Sequence, residues 1–216
     1  MAAWMKFVHL GDTVVMIPAA AAIAAWLIAG RVWRMAGWWC LLFSIGLGLV
    51  VASKIAFIGW GTGVRGIDFK AVSGHAMSTT AVLPVIFYLL LRSSAPDARA
   101  FGVLLGVVFG ALMGILLIVI NEHSASEAVA GCVIGAIVSL SFVRISEGLP
   151  SPSQRGWRIV LSVLVIVAVW YAQPVSVDYW MTRVALHLSG HDRAYSWHTW
   201  ELMSSASRSC MPQSVR

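Results

Sequence analysis

The sequence predicts an all-α fold, a six-helix transmembrane bundle, and three observations carry that expectation. The 216 residues are 59% hydrophobic and only 11% charged, against about 25% charged in an ordinary soluble domain. The mean hydropathy is +0.83. Six runs approach the roughly 20 mostly apolar residues that a bilayer span requires: 13–30, 37–54, 75–92, 101–121, 124–143 and 157–173. The division expected is one helical domain over 1–173 and a polar C-terminal tail over 174–216.

The first run follows Lys6 and has the look of a signal-peptide core. It is long for that role, and it ends in Gly30-Arg31 rather than at a small-residue cleavage site, so a retained helix is expected. Connections one, three and five carry Arg31, Arg34, Arg92, Arg99, Arg144, Arg155 and Arg158. Connections two and four carry only Lys54, Arg65 and Lys70. The positive-inside rule then puts the odd connections in the cytoplasm. Both termini would face outward, toward the periplasm if the membrane is a bacterial inner membrane.

The longest connection, 55–73, is apolar at its start (Ile55-Ala56-Phe57-Ile58). Its glycines at 59, 61, 63 and 66 disfavour a regular helix, so it is expected along the interface or dipping in as a lid. Pro150-Ser151-Pro152-Ser153 reads as a turn. In the tail, Trp180–Leu188 is expected to form a short interfacial helix.

The net charge of +6 is spread along the chain with no dense basic run, which argues against a nucleic-acid partner. Arginines at helix ends and many of the 11 tryptophans, Trp33, Trp38, Trp39, Trp60, Trp157 and Trp170 among them, fall where headgroups would be met. Of the three cysteines, Cys40 and Cys132 sit inside apolar runs and are expected to be packing residues, and Cys210 stands alone in the tail. No disulfide framework, metal site or cofactor is implied.

Against this background the polar residues at two helix starts stand out. Ser73-Gly74-His75 opens the third run. His123 opens the fifth, with Glu127 four residues on and expected a full turn inside the helix. One helical hairpin separates the histidines, so both fall on the same side at matched depth. Helix N-termini attract anions through unsatisfied N–H groups and the helix dipole. With Lys54, Arg65 and Lys70 in the same connection region, the pattern points to a phosphorylated ligand. Each motif alone says little: Ser189-Gly190-His191 repeats the tripeptide in the tail with no helix to open. The plainer reading is headgroup anchoring, but histidine suits that poorly and a carboxylate in a membrane helix is costly unless paired or functional.

These residues resemble the type 2 phosphatidic acid phosphatase family, six-helix membrane enzymes carrying the motifs KxxxxxxRP, PSGH and SRxxxxxHxxxD. Val72-Ser73-Gly74-His75 resembles the second motif with valine for proline. His123-Ser124-Ala125-Ser126-Glu127 resembles the end of the third with glutamate for aspartate, and Leu10-Gly11-Asp12 is also similar to the family. The likeness covers roughly residues 10–145. Leu116 and Leu117 stand where the third motif has serine and arginine, and Lys54 and Arg65-Gly66 are spaced too widely for the first.

The resemblance implies metal-independent hydrolysis of a lipid phosphate or diphosphate, phosphatidic acid-like or polyprenyl. In it His123 is the nucleophile, Glu127 its orienting carboxylate and His75 the general acid and base. Ser73, Gly74, Lys54, Arg65 and Lys70 hold the phosphoryl oxygens. A non-catalytic relative that binds lipid phosphate or acts as a scaffold remains the alternative. A transporter is disfavoured, because interior charges and broken helices are lacking.

Overall fold

The computed structural model describes residues 13–150 and 177–195. They form six α-helices: α1 (Thr13–Ala29), α2 (Trp33–Trp60), α3 (Gly74–Leu90), α4 (Pro96–Val119), α5 (Ala125–Glu147) and α6 (Val177–Ser189), with no strand among them. The all-α class expected from the apolar runs is therefore observed. α2, α4 and α5 are each long and apolar enough to cross a membrane, which marks an integral membrane protein, and α1 and α3 are shorter apolar helices. The run at 157–173, Leu10-Gly11-Asp12, Trp157, Trp170 and Cys210 lie outside the described residues.

Two compact units divide the chain. The larger holds the residues up to Val50 and those from Val72 to Pro150, and its centre is α3. Buried residues recur all around α3, including Ala76, Met77, Ser78, Thr79, Thr80, Ala81, Val82, Val85, Tyr88 and Leu89. A helix buried on every side is a core helix, and α3 packs against α1, α4 and α5. α4 carries a row of buried glycines at every fourth position, of which Gly102, Gly106 and Gly110 face α3 and Gly114 faces α5. Phe101, Leu104, Val108, Leu112 and Ile115 on the same helix are exposed, as suits lipid.

Small residues let membrane helices approach backbone to backbone, and the glycines facing α3 include two of the tightest cases. A Cβ on Gly106 would lie 2.5 Å from the backbone of Pro84, and one on Gly135 would lie 2.4 Å from the Met77 carbonyl. α1 is tied to α2 by the Trp39 indole N–H, which donates to the Ala20 carbonyl at 2.9 Å. Trp39 is buried against Phe43 and Phe142 and is a core residue, not an interfacial anchor. Cys40, expected to be a packing residue, is exposed because it points off the outer face of α2.

Arg92 also departs from the headgroup-anchor expectation. It is buried, and its guanidinium donates to the Ser146 and Leu149 carbonyls at 2.7 and 2.6 Å and to the Tyr88 hydroxyl. It thus adds a charged donor at the negative end of α5, where the Ser146 carbonyl already accepts the Leu149 N–H.

The smaller unit holds Val51–Ala71 with the described tail. Ile55–Trp60, expected to be irregular, completes α2. The reason is visible at Gly59: a Cβ there would lie 3.1 Å from the Ala185 carbonyl, so the glycine admits α6 at a cost to the helix of about 1 kcal/mol. The last carbonyls of α2 are satisfied one by one. Gly61 N–H donates to Phe57, Tyr195 N–H to Ile58 at 2.9 Å, and the His191 Nδ1–H to Gly59 at 2.9 Å. Gly61 has φ +65 and lies under the Tyr195 ring, so only glycine fits there. Beyond it, Val64 pairs with Phe69 across a 3₁₀ turn, Arg65–Ile67.

Gly106→Ala and Gly135→Ala are expected to destabilise the protein by about 1–3 kcal/mol through overpacking. Gly48→Ala, whose Cβ would meet nothing within 4 Å, is expected to be neutral or to stabilise by up to about 1 kcal/mol. Thermal unfolding in detergent would separate the two groups.

Candidate functional site

The site is built from two helix starts and one helix end. Ser73 is the N-cap of α3: its backbone is extended and its side chain accepts the Ala76 N–H. Gly74 and His75 are therefore the first two helical residues, whose N–H groups have no acceptor within the helix. Ser73 is fully buried, and its own N–H donates to the Glu127 carbonyl at 3.2 Å. Gly131 makes that contact possible, because a Cβ there would lie 2.6 Å from the Ser73 carbonyl.

His123 stands in the turn between α4 and α5. α4 ends at Ile120 with Asn121 left-handed at φ 64. The Asn121 N–H donates to the Ile118 carbonyl and the Glu122 N–H to that of Leu117. This pair is a Schellman motif with asparagine in its left-handed position. The His123 N–H shares the Leu117 carbonyl, at 3.3 Å. One residue later Ser124 caps α5 in a capping box: its Oγ accepts the Glu127 N–H and the Glu127 carboxylate accepts the Ser124 N–H. A helix stop and a helix start thus fix the His123 backbone from both sides.

The Glu127 carboxylate is 2% exposed and lies 2.9 Å from His123 Nδ1. It sits in the first turn of α5, not a full turn inside as the sequence suggested, because it is the capping-box residue. One oxygen, Oε2, therefore faces both the Ser124 N–H and the His123 ring. The His75 and His123 rings lie 6.2 Å apart between centroids, inclined by 58°. Ser124 Oγ and Ser126 Oγ, 2.9 Å apart, line the same turn.

The structure thus brings together Ser73, Gly74, His75, His123 and Glu127, all in the larger unit. Lys54, Arg65 and Lys70 belong to the smaller one. Lys54 is half-buried in α2, Arg65 is exposed in the 3₁₀ turn, and Lys70 pairs with Asp68 at 3.6 Å. Leu117, where the family pattern has arginine, is fully buried. Ser124 and Asn121 were not singled out from sequence, although Ser-x-x-Glu ahead of an apolar run is a capping-box signature.

Three helices of membrane-spanning length mark an integral membrane protein, in which two histidines stand at helix starts and one of them is held by a carboxylate. The chain belongs to the PAP2 superfamily, whose profile matches residues 56–150. It is 37% identical over 150 residues to the uncharacterized 22.5 kDa protein in the cps region of Klebsiella pneumoniae, covering 69% of this chain and 72% of the relative. No solved structure matches it significantly. The family supports phosphatase-type hydrolysis of phosphate esters.

Glutamine can keep a capping box but carries no charge toward His123. Glu127→Gln is therefore expected to unfold close to the wild type. Glu127→Ala, which keeps the Ser124 cap but loses the reciprocal bond from the Ser124 N–H, is expected to cost about 0.5–1.5 kcal/mol, measured by circular dichroism melts in detergent.

Proposed function

We propose that the chain hydrolyses a lipid phosphate or diphosphate, phosphatidic acid-like or polyprenyl, at the extracytoplasmic face of a bacterial inner membrane. The observation that carries the reading is the 2.9 Å contact between His123 Nδ1 and the buried Glu127 carboxylate. A carboxylate there favours the tautomer with the proton on Nδ1, leaving Nε2 with its lone pair for phosphorus. Nucleophile, base and orienting group in this relation are the usual setting for covalent catalysis.

In this reading His123 Nε2 attacks phosphorus, a P–N bond forms and the P–O bond to the leaving group breaks. His75 gives its proton to the departing oxygen, then takes one from the water that attacks the phosphohistidine, releasing orthophosphate and free His123. Near-attack contacts are about 3–3.5 Å, so one phosphoryl group between rings 6.2 Å apart is of the right scale to meet both. The N–H groups opening α3, with the Ser73 hydroxyl, are assigned to the phosphoryl oxygens.

One observation favours a second reading, a family member that binds lipid phosphate without hydrolysing it: the buried Leu117 supplies no cationic grip. Loss of one such donor costs on the order of 10²–10³ in rate. Phosphate release from phosphatidic acid and from a polyprenyl diphosphate, by detergent-purified protein in EDTA, distinguishes the two. Hydrolysis predicts release that vanishes in His123→Ala and slows roughly 10²–10⁴-fold in His75→Ala. Release no greater than that of His123→Ala on either lipid would replace the hydrolase with the binder.

A further inference from the structure

The tail helix α6 carries three parallel rows of residues, each spaced by four. Met181 and Ala185 are buried and Ser189 half-buried, and this row packs on α2 at Gly59. Tyr179, Arg183 and His187 form an exposed polar row, in which the Arg183 guanidinium donates to the Tyr179 hydroxyl at 3.2 Å and lies over its ring. Between them Trp180, Val184 and Leu188 are apolar and exposed, by 56%, 41% and 61%. Packing within the unit accounts for the first row and water for the second. The third row has no such account.

Its depth indicates what covers it. α2 has 28 residues, about 42 Å at 1.5 Å per residue, against a hydrocarbon core of about 30 Å. Exposed tryptophans mark both ends of α2, Trp33 and Trp60, so the excess is shared and the end at Gly59 and Trp60 is placed at the headgroup boundary. α6 is held on that end by the Gly59 contact, by the His191 bond to the Gly59 carbonyl and by the Tyr195 bond to that of Ile58. A helix fixed there, with tryptophan and aliphatic residues on one flank and arginine, histidine and tyrosine on the next, has the composition of an interfacial helix.

We infer that α6 lies along the membrane surface, with Trp180, Val184 and Leu188 inserted among lipid acyl chains and Arg183 and His187 turned toward headgroup phosphates and water. The helix is then a lateral anchor for the end of α2, and its occupant is the bilayer itself.

Carbene footprinting of the unmodified full-length protein tests this. One sample of phosphatidylcholine vesicles carries a phospholipid with a diazirine in its acyl chain, and a second receives a water-soluble diazirine. Tryptic cleavage after Arg183 and Arg193 isolates Val184–Arg193 for adduct mapping. Val133 and Ile137 of α5, exposed and apolar, serve as the lipid-facing reference. Acyl-chain adducts on Val184 and Leu188, with aqueous adducts on His187 and Asp192, are expected. Aqueous adducts on Val184 and Leu188 would overturn the inference. So would an absence of both adducts there while Val133 is labelled, because the row would then be covered by protein, such as a second copy of this chain.

Discussion

The closeness of backbone packing around α3 is the constraint on which the larger unit depends. Two helices meet it through missing side chains, α4 at Gly106 and Gly110 and α5 at Gly131 and Gly135. Without that approach the Ser73 N–H would not reach the Glu127 carbonyl, and the two helix starts would not stand side by side. In a bilayer there is no hydrophobic gain from joining two apolar helices, so this close contact must come from van der Waals packing and hydrogen bonds. Packing in the helix interior thus sets a distance between imidazoles at the helix ends.

Glu127 links that packing to chemistry. A carboxylate so deeply buried is expensive unless its charge is compensated, and here a helix start, a capped N–H and an imidazole all face it. The glutamate that replaces the family's aspartate is also the residue a capping box calls for, and its longer arm folds back over the first turn to reach His123. The substitution is thereby accommodated by local helix geometry. Leu117 is different: its backbone carbonyl anchors the turn that presents His123, while its side chain brings no charge.

Much of this was legible in the sequence. All five apolar runs that fall within the described residues correspond to helices, and Ser73-Gly74-His75 opens one as the spacing demanded. The tail helix appears where Trp180–Leu188 suggested, running from Val177 to Ser189. Glycine reads in two ways. At 55–60 it suggested broken structure, yet Gly59 is helical because a neighbouring helix needs the room. In α4 the fourfold spacing of glycines marked the contact face and was open to reading. Arg92 could not be read: local sequence places it at a helix end, and only the fold brings the carbonyls of Ser146 and Leu149 to it.

The capping of α2 by the tail has a consequence for how the chain is made. The carbonyls of Ile58 and Gly59 find their donors in Tyr195 and His191. At about 5–20 residues per second, the 132 residues between Gly59 and His191 take on the order of ten seconds to synthesise. Through that interval the second helix, already emerged, has its last turn unfinished, and only the arrival of the tail can close it. The bond registers that synthesis has passed His191, because a chain released earlier carries no group to make it.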